Sequence, residues 1–159
     1  MKKNKGFTLI ELMVTIAVLA IVASIAAPSF INTLASQNLN TAANEIASAL
    51  GEGRSRAMVM SNSVFVCPNK DSAAARVSET ICVNKLLSSA DANQVVAQNR
   101  VILVNIPEKV DIKSNNYGVV FKANGTTSSI TSITTCSKNI SKTINVALIG
   151  SLTQTKGTC

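Results

Sequence analysis

The sequence predicts an α+β protein in which one long N-terminal helix, transmembrane in its first half, packs on a small antiparallel β-rich domain with disulfides. Three observations carry this prediction. Residues 7–28 are apolar and almost uncharged, residues 29–60 continue as an amphipathic helix, and residues 61–159 contain short β-type runs, turn residues and four cysteines. Residues 1–6 form a short basic leader ahead of these three parts.

The first apolar segment is long enough to cross a membrane. Residues 7–27 carry a single charge, Glu11, and about 20 helical residues span the hydrocarbon core of a bilayer. Ala26-Ala27-Pro28 leads directly into more helical pattern, so the cleavage site of an ordinary secretory signal is missing. Because three lysines lie within residues 2–5, the positive-inside rule places the N-terminus in the cytoplasm and the β-rich domain across the membrane.

Two residues interrupt this apolar pattern. Glu11 has two interpretations: its carboxylate reaches the membrane interface from one turn inside the helix, or it awaits a cation from a partner. Pro28 lacks a backbone N–H, which predicts a helix bend or one loosened turn.

The spacing of apolar residues predicts the remaining helix and strands. A buried helix stripe is predicted at Leu39, Ala42, Ala43, Ile46, Leu50, Gly53, Ala57 and Met60. Strands are predicted for residues 64–67, 80–83, 101–106, 117–121, 129–136 and 143–149, with Ile144, Val146 and Leu148 on one face of the last. Asn124-Gly125 predicts a hairpin turn. Residues 71–79 and 86–99 are expected to be loops that leave room for a helical turn.

The four cysteines, Cys67, Cys82, Cys136 and Cys159, form no CxxC pair. An even number in a domain exported across a membrane favours disulfides, and four cysteines allow three connectivities. Spacing does not decide among them. We favour the two local pairs, Cys67 with Cys82 and Cys136 with Cys159, the first of which closes a loop worth about 3 kcal/mol in the chain-entropy model.

The composition argues against catalysis, and the positive net charge does not by itself indicate nucleic-acid binding. The chain contains no histidine, so His-based triads and most catalytic metal sites are excluded. No phosphate loop or serine-nucleophile motif is present, and no enzyme activity, cofactor or metal is expected. Without the leader the net charge falls from +7 to +4, and the remaining basic residues are scattered along the chain.

The N-terminal residues resemble a known family. Lys5-Gly6-Phe7-Thr8-Leu9-Ile10-Glu11 is similar to the class III signal of type IV pilins and type II secretion pseudopilins, which implies the pilin fold. The resemblance implies that prepilin peptidase cleaves between Gly6 and Phe7 and that Phe7 becomes N-methylated. It also implies that Glu11 pairs with the N-terminal amine of a neighbouring subunit during assembly. An amine and a carboxylate that are each costly in lipid neutralise one another in such a pair.

The rest of the chain resembles the minor-pilin branch that includes FimU, FimT and the H-type pseudopilin. The resemblance lies in residues 54–57, 64–68 and 117–125, and in the ending with Cys136, residues 144–150 and Cys159. Some FimT-type pilins bind DNA through Gly-Arg-x-Arg in a C-terminal loop. Here Gly53-Arg54-Ser55-Arg56 lies at the end of the long helix, and the matching loop reads Gly150-Ser151-Leu152-Thr153. DNA binding is therefore not expected, and Lys142 and Lys156 are the residues that would have to compensate for the two missing arginines.

The expected function is therefore that of a minor pilin that helps initiate type IV pilus assembly near the tip, with twitching motility or adhesion downstream. The alternatives are an H-type minor pseudopilin of a type II secretion system and a DNA-uptake minor pilin. The expected partners are prepilin peptidase, other minor pilins, the major pilin and the inner-membrane assembly platform. The expected location is the inner membrane, with a periplasmic domain, and then the pilus at the cell surface.

Overall fold

The computed structural model describes residues 7–87, 91–114 and 116–159, with the backbone alone for residues 26–29. Its longest element is helix α1, Leu9–Met60. The chain divides into two compact units, the first ending at Leu34 and the second comprising Ala35–Cys159. The α+β fold class is confirmed, with two helices and seven strands following α1 in the described residues.

The elements of the second unit after α1 alternate between strands and short helices. They are β1 Val64–Pro68, α2 Glu79–Leu86, α3 Ala92–Ala97, β2 Val101–Val104, β3 Asp111–Ile112, β4 Val119–Phe121, β5 Thr131–Ser137, β6 Ile140–Val146 and β7 Leu152–Thr158. One sheet has the order β2-β1-β4, with β1 parallel to β2 and antiparallel to β4. The other has the order β3-β5-β6-β7 and is antiparallel throughout.

The main core lies between the second part of α1 and the two sheets. The predicted helix stripe is buried from Leu39 to Ala57, and it packs with residues such as Val66, Phe121 and Ile144. Its last member was predicted wrongly, because Met60 is exposed at the helix end. Leu148 is also exposed, because β6 ends at Val146 and the chain then turns.

A second, smaller core covers the other face of strand β1. Its members are Phe65, Cys67, Val77, Cys82, Val83, Ala92, Val95 and Val101. Since β1 is buried on both faces, its apolar residues run consecutively instead of alternating with polar ones.

The strand predicted for residues 80–83 is wrong, because these residues belong to helix α2. Ser78 is the N-cap of this helix, and its hydroxyl accepts a hydrogen bond of 3.2 Å from the N–H of Ile81. Glu79 in the first turn and Lys85 in the last complement the helix dipole. The β-branched residues Thr80, Ile81 and Val83 suggested a strand, but local capping and burial against β1 favour the helix.

The other predicted elements differ mainly at their ends. The loop predicted for residues 86–99 contains α3, in keeping with the helical turn allowed there. Asn124-Gly125 does form a turn, with Gly125 at φ +76°, but β4 pairs with β1, and only Phe121 and Thr127 bridge across the turn. Strands β3 and β7 were not predicted.

Candidate assembly site

The start of helix α1 is capped by three hydrogen bonds between Thr8 and Glu11. Thr8 precedes the first helical residue, and its hydroxyl accepts a bond of 3.3 Å from the N–H of Glu11. In return, Oε2 of Glu11 accepts bonds of 3.0 Å from both the N–H and the hydroxyl of Thr8. This is a capping box, in which the side chains at the N-cap and N3 positions satisfy each other's backbone donors.

The capping box orients the Glu11 carboxylate. Both Thr8 contacts use Oε2, so within the described residues Oε1 has no hydrogen-bond partner. The carboxylate is exposed and pairs with no cation in the described part of the chain. It is thus fixed on its own helix and keeps one oxygen available to an external cation. The role of Thr8 was not predicted, although Thr-x-x-Glu ahead of an apolar run is the signature of this motif.

The helix surface that follows Glu11 is apolar on nearly every side, and the hydroxyls of Thr15 and Ser24 donate hydrogen bonds to their own helix backbone. All residues from 7 to 25 are exposed, including Leu12, Ile16 and Leu19. A helix that is apolar all round is stable only when lipid or protein surrounds it. In the described residues no single helix meets the length and hydropathy criteria for a membrane span, but the consecutive segments Leu9–Ile25 and Phe30–Met60 meet them together.

Three predicted features of this segment remain predictions. Gly6 lies outside the described residues, and Phe7, the predicted N-methylated residue, is exposed ahead of the helix. The side chain of Pro28 also lies outside the described part, so the predicted helix bend stays a prediction.

The two arginines of the Gly53-Arg54-Ser55-Arg56 segment both make contacts within the second unit. Arg56 forms an ion pair with Glu52, one turn earlier, and donates a hydrogen bond of 3.2 Å to the backbone carbonyl of Asn99. Arg54 lies against two turn glycines, Gly125 and Gly150, so closely that a Cβ on Gly150 would be 2.9 Å from Arg54 Nε. That Nε atom is buried and has no hydrogen-bond partner in the described residues.

Both glycines beside Arg54 have positive φ, +76° for Gly125 and +77° for Gly150, which glycine adopts without strain. The tertiary structure thus brings Arg54 of the helix to the turns at Gly125 and Gly150. Arg54 packs beneath the two turns there instead of projecting from them.

Two disulfides close the second unit. Cys67 of β1 is bonded to Cys82 of α2, with 6.1 Å between their Cα atoms, and both are fully buried. Cys136 of β5 is bonded to Cys159, with 6.0 Å between Cα atoms. These are the two local pairs that we favoured among the three connectivities. The first bond holds α2 on the small core, and the second anchors the end of β7.

Together these features define a class: a pilin-like protein, with an apolar, capped N-terminal helix for assembly and a disulfide-bonded α+β unit. Comparison with family models agrees. Residues 1–27 match the prokaryotic N-terminal methylation motif, and residues 42–151 match the type II transport protein GspH. The second match covers more than half of the chain, so the chain belongs to the GspH family. No curated protein and no solved structure matches it significantly.

These matches bear on the general role of the chain, its processing and its membrane anchoring. Proteins of these families are structural subunits that assemble with other pilins or pseudopilins. The methylation motif implies processing by a prepilin peptidase, and the motif together with the apolar helix indicates membrane anchoring.

Proposed function

We propose that this chain is a minor pilin that helps initiate assembly of a type IV pilus in a Gram-negative bacterium. One observation carries the proposal: a helix surface that is exposed and mostly apolar from residue 7 to residue 25, with the carboxylate of Glu11 as its only charge. Such a surface needs other subunits or lipid around it, and a single oriented carboxylate gives the packing a defined register.

In this proposal, prepilin peptidase removes residues 1–6 and Phe7 becomes the methylated N-terminus. The subunit then stays in the inner membrane with its second unit in the periplasm. The assembly platform incorporates it near the pilus tip, together with other minor pilins and ahead of the major pilin. Oε1 of Glu11 forms an ion pair with the N-terminal amine of a neighbouring subunit. The chain has no catalytic role, and twitching motility or adhesion follows from the assembled pilus.

The first test is deletion of the gene. We expect loss of the pili that can be sheared from the cell surface, restoration by the intact gene, and unchanged secretion through any type II system of the same strain. Normal pili in the deletion strain would contradict the proposal.

The second test separates the charge of Glu11 from its capping role. Glu11→Gln keeps an amide oxygen for the cap but removes the charge, whereas Thr8→Ala removes the hydroxyl of the cap and keeps the charge. We expect Glu11→Gln to insert in the membrane normally but to lower incorporation into pili about tenfold or more, because removing one member of a buried ion pair is strongly destabilising.

Thr8→Ala is the matched control, and we expect a smaller loss of incorporation from it. The measurement is the ratio of this protein to the major pilin in sheared pili, with the membrane fraction as reference. If Glu11→Gln were incorporated as well as the wild type, the proposed charge pairing would be wrong.

The second candidate function is that of an H-type minor pseudopilin in a type II secretion system. The match of residues 42–151 to the GspH description favours it, because that description names a type II transport protein. The same deletion strain decides between the two: lost secretion with normal pili would support the pseudopilin. DNA uptake receives no comparable support, because Arg56 is paired with Glu52 and Arg54 packs under two turns.

A further inference from the structure

Positive charge is concentrated in the last third of the chain. Residues 112–159 contain five lysines and no aspartate or glutamate, a side-chain charge of +5, whereas residues 7–111 carry a side-chain charge of −1. The scattered appearance of the charges along the sequence therefore hides an asymmetry between two parts of the fold. The four-stranded sheet holds most of this basic segment, in β5, β6 and β7 and the turns between them.

Strand β7 forms one edge of that sheet. It pairs with β6 along its whole length, and in the described residues no strand lies on its other side. Two hydrogen bonds at the ends of the ladder show which residues of β7 are bonded to β6. One runs from the N–H of Ala147 to the carbonyl of Ser151, and the other from the N–H of Cys159 to the carbonyl of Asn139. Because hydrogen-bonded and non-hydrogen-bonded pairs alternate in an antiparallel ladder, the backbone N–H and C=O groups of Leu152, Gln154 and Lys156 point away from β6.

These outward groups make up what we call the β7 edge, residues 152–156. The strand around them is exposed except for Leu152, which is partly buried. Proteins usually protect such an edge with proline, a bulge, a covering segment or charged side chains, because free N–H and C=O groups invite pairing with another strand. The described structure shows no proline, bulge or covering segment here, and Lys156 is the one charged side chain of the strand. A lysine at an edge opposes pairing with a neutral or basic strand but not with an acidic one. The disulfide of Cys159 holds the end of the strand in place.

Lys156 and Lys142 make the β7 edge strongly basic. They are direct cross-strand partners in the ladder, at a non-hydrogen-bonded position where side chains are closest. Like charges directly opposite one another are unfavourable, and neither lysine has an ion-pair partner in the described residues. An acidic side chain on an added strand would relieve this repulsion.

We propose that the β7 edge binds an extended acidic segment of a partner protein by β-strand addition. The outward backbone groups favour a peptide over a nucleic acid, because three C=O groups need donors that a phosphate backbone does not supply. The charge also disfavours a second copy of this chain, since each copy brings the same basic sheet. This inference deepens the proposed assembly role and rests on it for the origin of the acidic segment.

The test uses the full chain in detergent micelles and a fluorescently labelled peptide of about ten residues that alternates threonine or valine with glutamate. A peptide with lysine in place of each glutamate is the charge control. Fluorescence anisotropy reports the dissociation constant of each peptide. This measurement does not involve pili or secretion. Absence of peptide binding would therefore not contradict the proposed function, and a normal number of pili in the deletion strain would not contradict peptide binding at the β7 edge.

Two variants separate backbone pairing from charge. Gln154→Pro removes an outward N–H that the fold does not use, and we expect it to weaken binding about tenfold or more, while Gln154→Ala stays within about twofold. Lys156→Glu should weaken binding at least about fivefold. Lys113→Glu makes the same charge change after β3, at the opposite edge of the sheet, and should stay within about twofold.

Unfolding curves of each variant show whether the second unit still folds. If Gln154→Pro does not fold, Lys156→Glu still tests the proposal. The proposal is overturned if the lysine peptide binds as tightly as the glutamate peptide, or if Lys156→Glu and Gln154→Pro both bind as the wild type does. Duplex DNA that binds in a Lys156-dependent way, with Gln154→Pro unaffected, would replace it with a polyanion surface.

Discussion

The two parts of helix α1 have the same backbone conformation but opposite environments. In the first unit every side chain from residue 7 to residue 25 is exposed, although nearly all of them are apolar. In the second unit the apolar residues form one stripe, from Leu39 to Ala57, that is buried against the sheets. The difference shows that helix formation and burial are separate: the second part finds its apolar partners within the chain, and the first must find them outside it.

The largest expected effect comes from truncating a side chain in the buried stripe. Leu50 is fully buried, whereas Ile16 in the first unit is 57% exposed. We expect Leu50→Ala to lower the free energy of unfolding by about 2–5 kcal/mol, because it removes buried methyl groups and leaves a cavity. Ile16→Ala, the control, should leave that free energy unchanged. Urea unfolding of the full chain in detergent measures both, and equal effects would contradict the comparison.

A smaller effect is expected where α1 approaches strand β1 most closely. A Cβ on Gly53 would collide with the side chain of Val66, so Gly53→Ala should destabilise the second unit by about 1–3 kcal/mol. Gly51, two residues earlier, has open space around it, and Gly51→Ala should stabilise the helix by up to about 1 kcal/mol. The opposite signs of the two changes in the unfolding midpoint provide the check. If both substitutions stabilised, the close approach would be wrong.

The smallest effect concerns the outer face of the same helix. Glu52→Ala removes the ion pair with Arg56 on a largely exposed surface, for which we expect a loss of about 0.3–0.5 kcal/mol. Because salt screens exposed charges, the difference from the wild type should disappear at high ionic strength. Denaturant curves at low and high salt measure this. A loss that persisted in high salt would indicate that Glu52 contributes through packing.

Patterns of regular period were predicted well from the sequence. The helix stripe from Leu39 to Ala57 and strands β1, β2 and β5 lie close to their predicted positions, because burial on one side leaves a period of 3.6 or a compact apolar run. The predicted strand at residues 80–83 failed because β-branched residues are compatible with a short helix once Ser78 caps it. Strand β7 was missed because Thr-Gln-Thr-Lys has no apolar alternation.

The candidate site was predictable to a similar degree. Glu11 was recognisable as the one charge in an apolar run, and Thr8 could have been found from the capping-box spacing. The contact of Arg54 with Gly125 and Gly150 was not predictable, because these glycines lie 71 and 96 positions after Arg54 in the chain. The basic β7 edge likewise depends on the register that places Lys142 opposite Lys156.

The sequence by itself therefore determined the apolar N-terminal helix, its single carboxylate, the amphipathic continuation and the cysteines available for disulfides. These are local properties, and local propensity and hydrophobic period express them without reference to the rest of the chain. Only the tertiary structure decided the parallel pairing of β1 with β2, the conversion of residues 80–83 into a helix, and the position of β7 at a sheet edge. The physical reason is that backbone pairing and core packing join residues far apart in sequence, where no periodic pattern connects them.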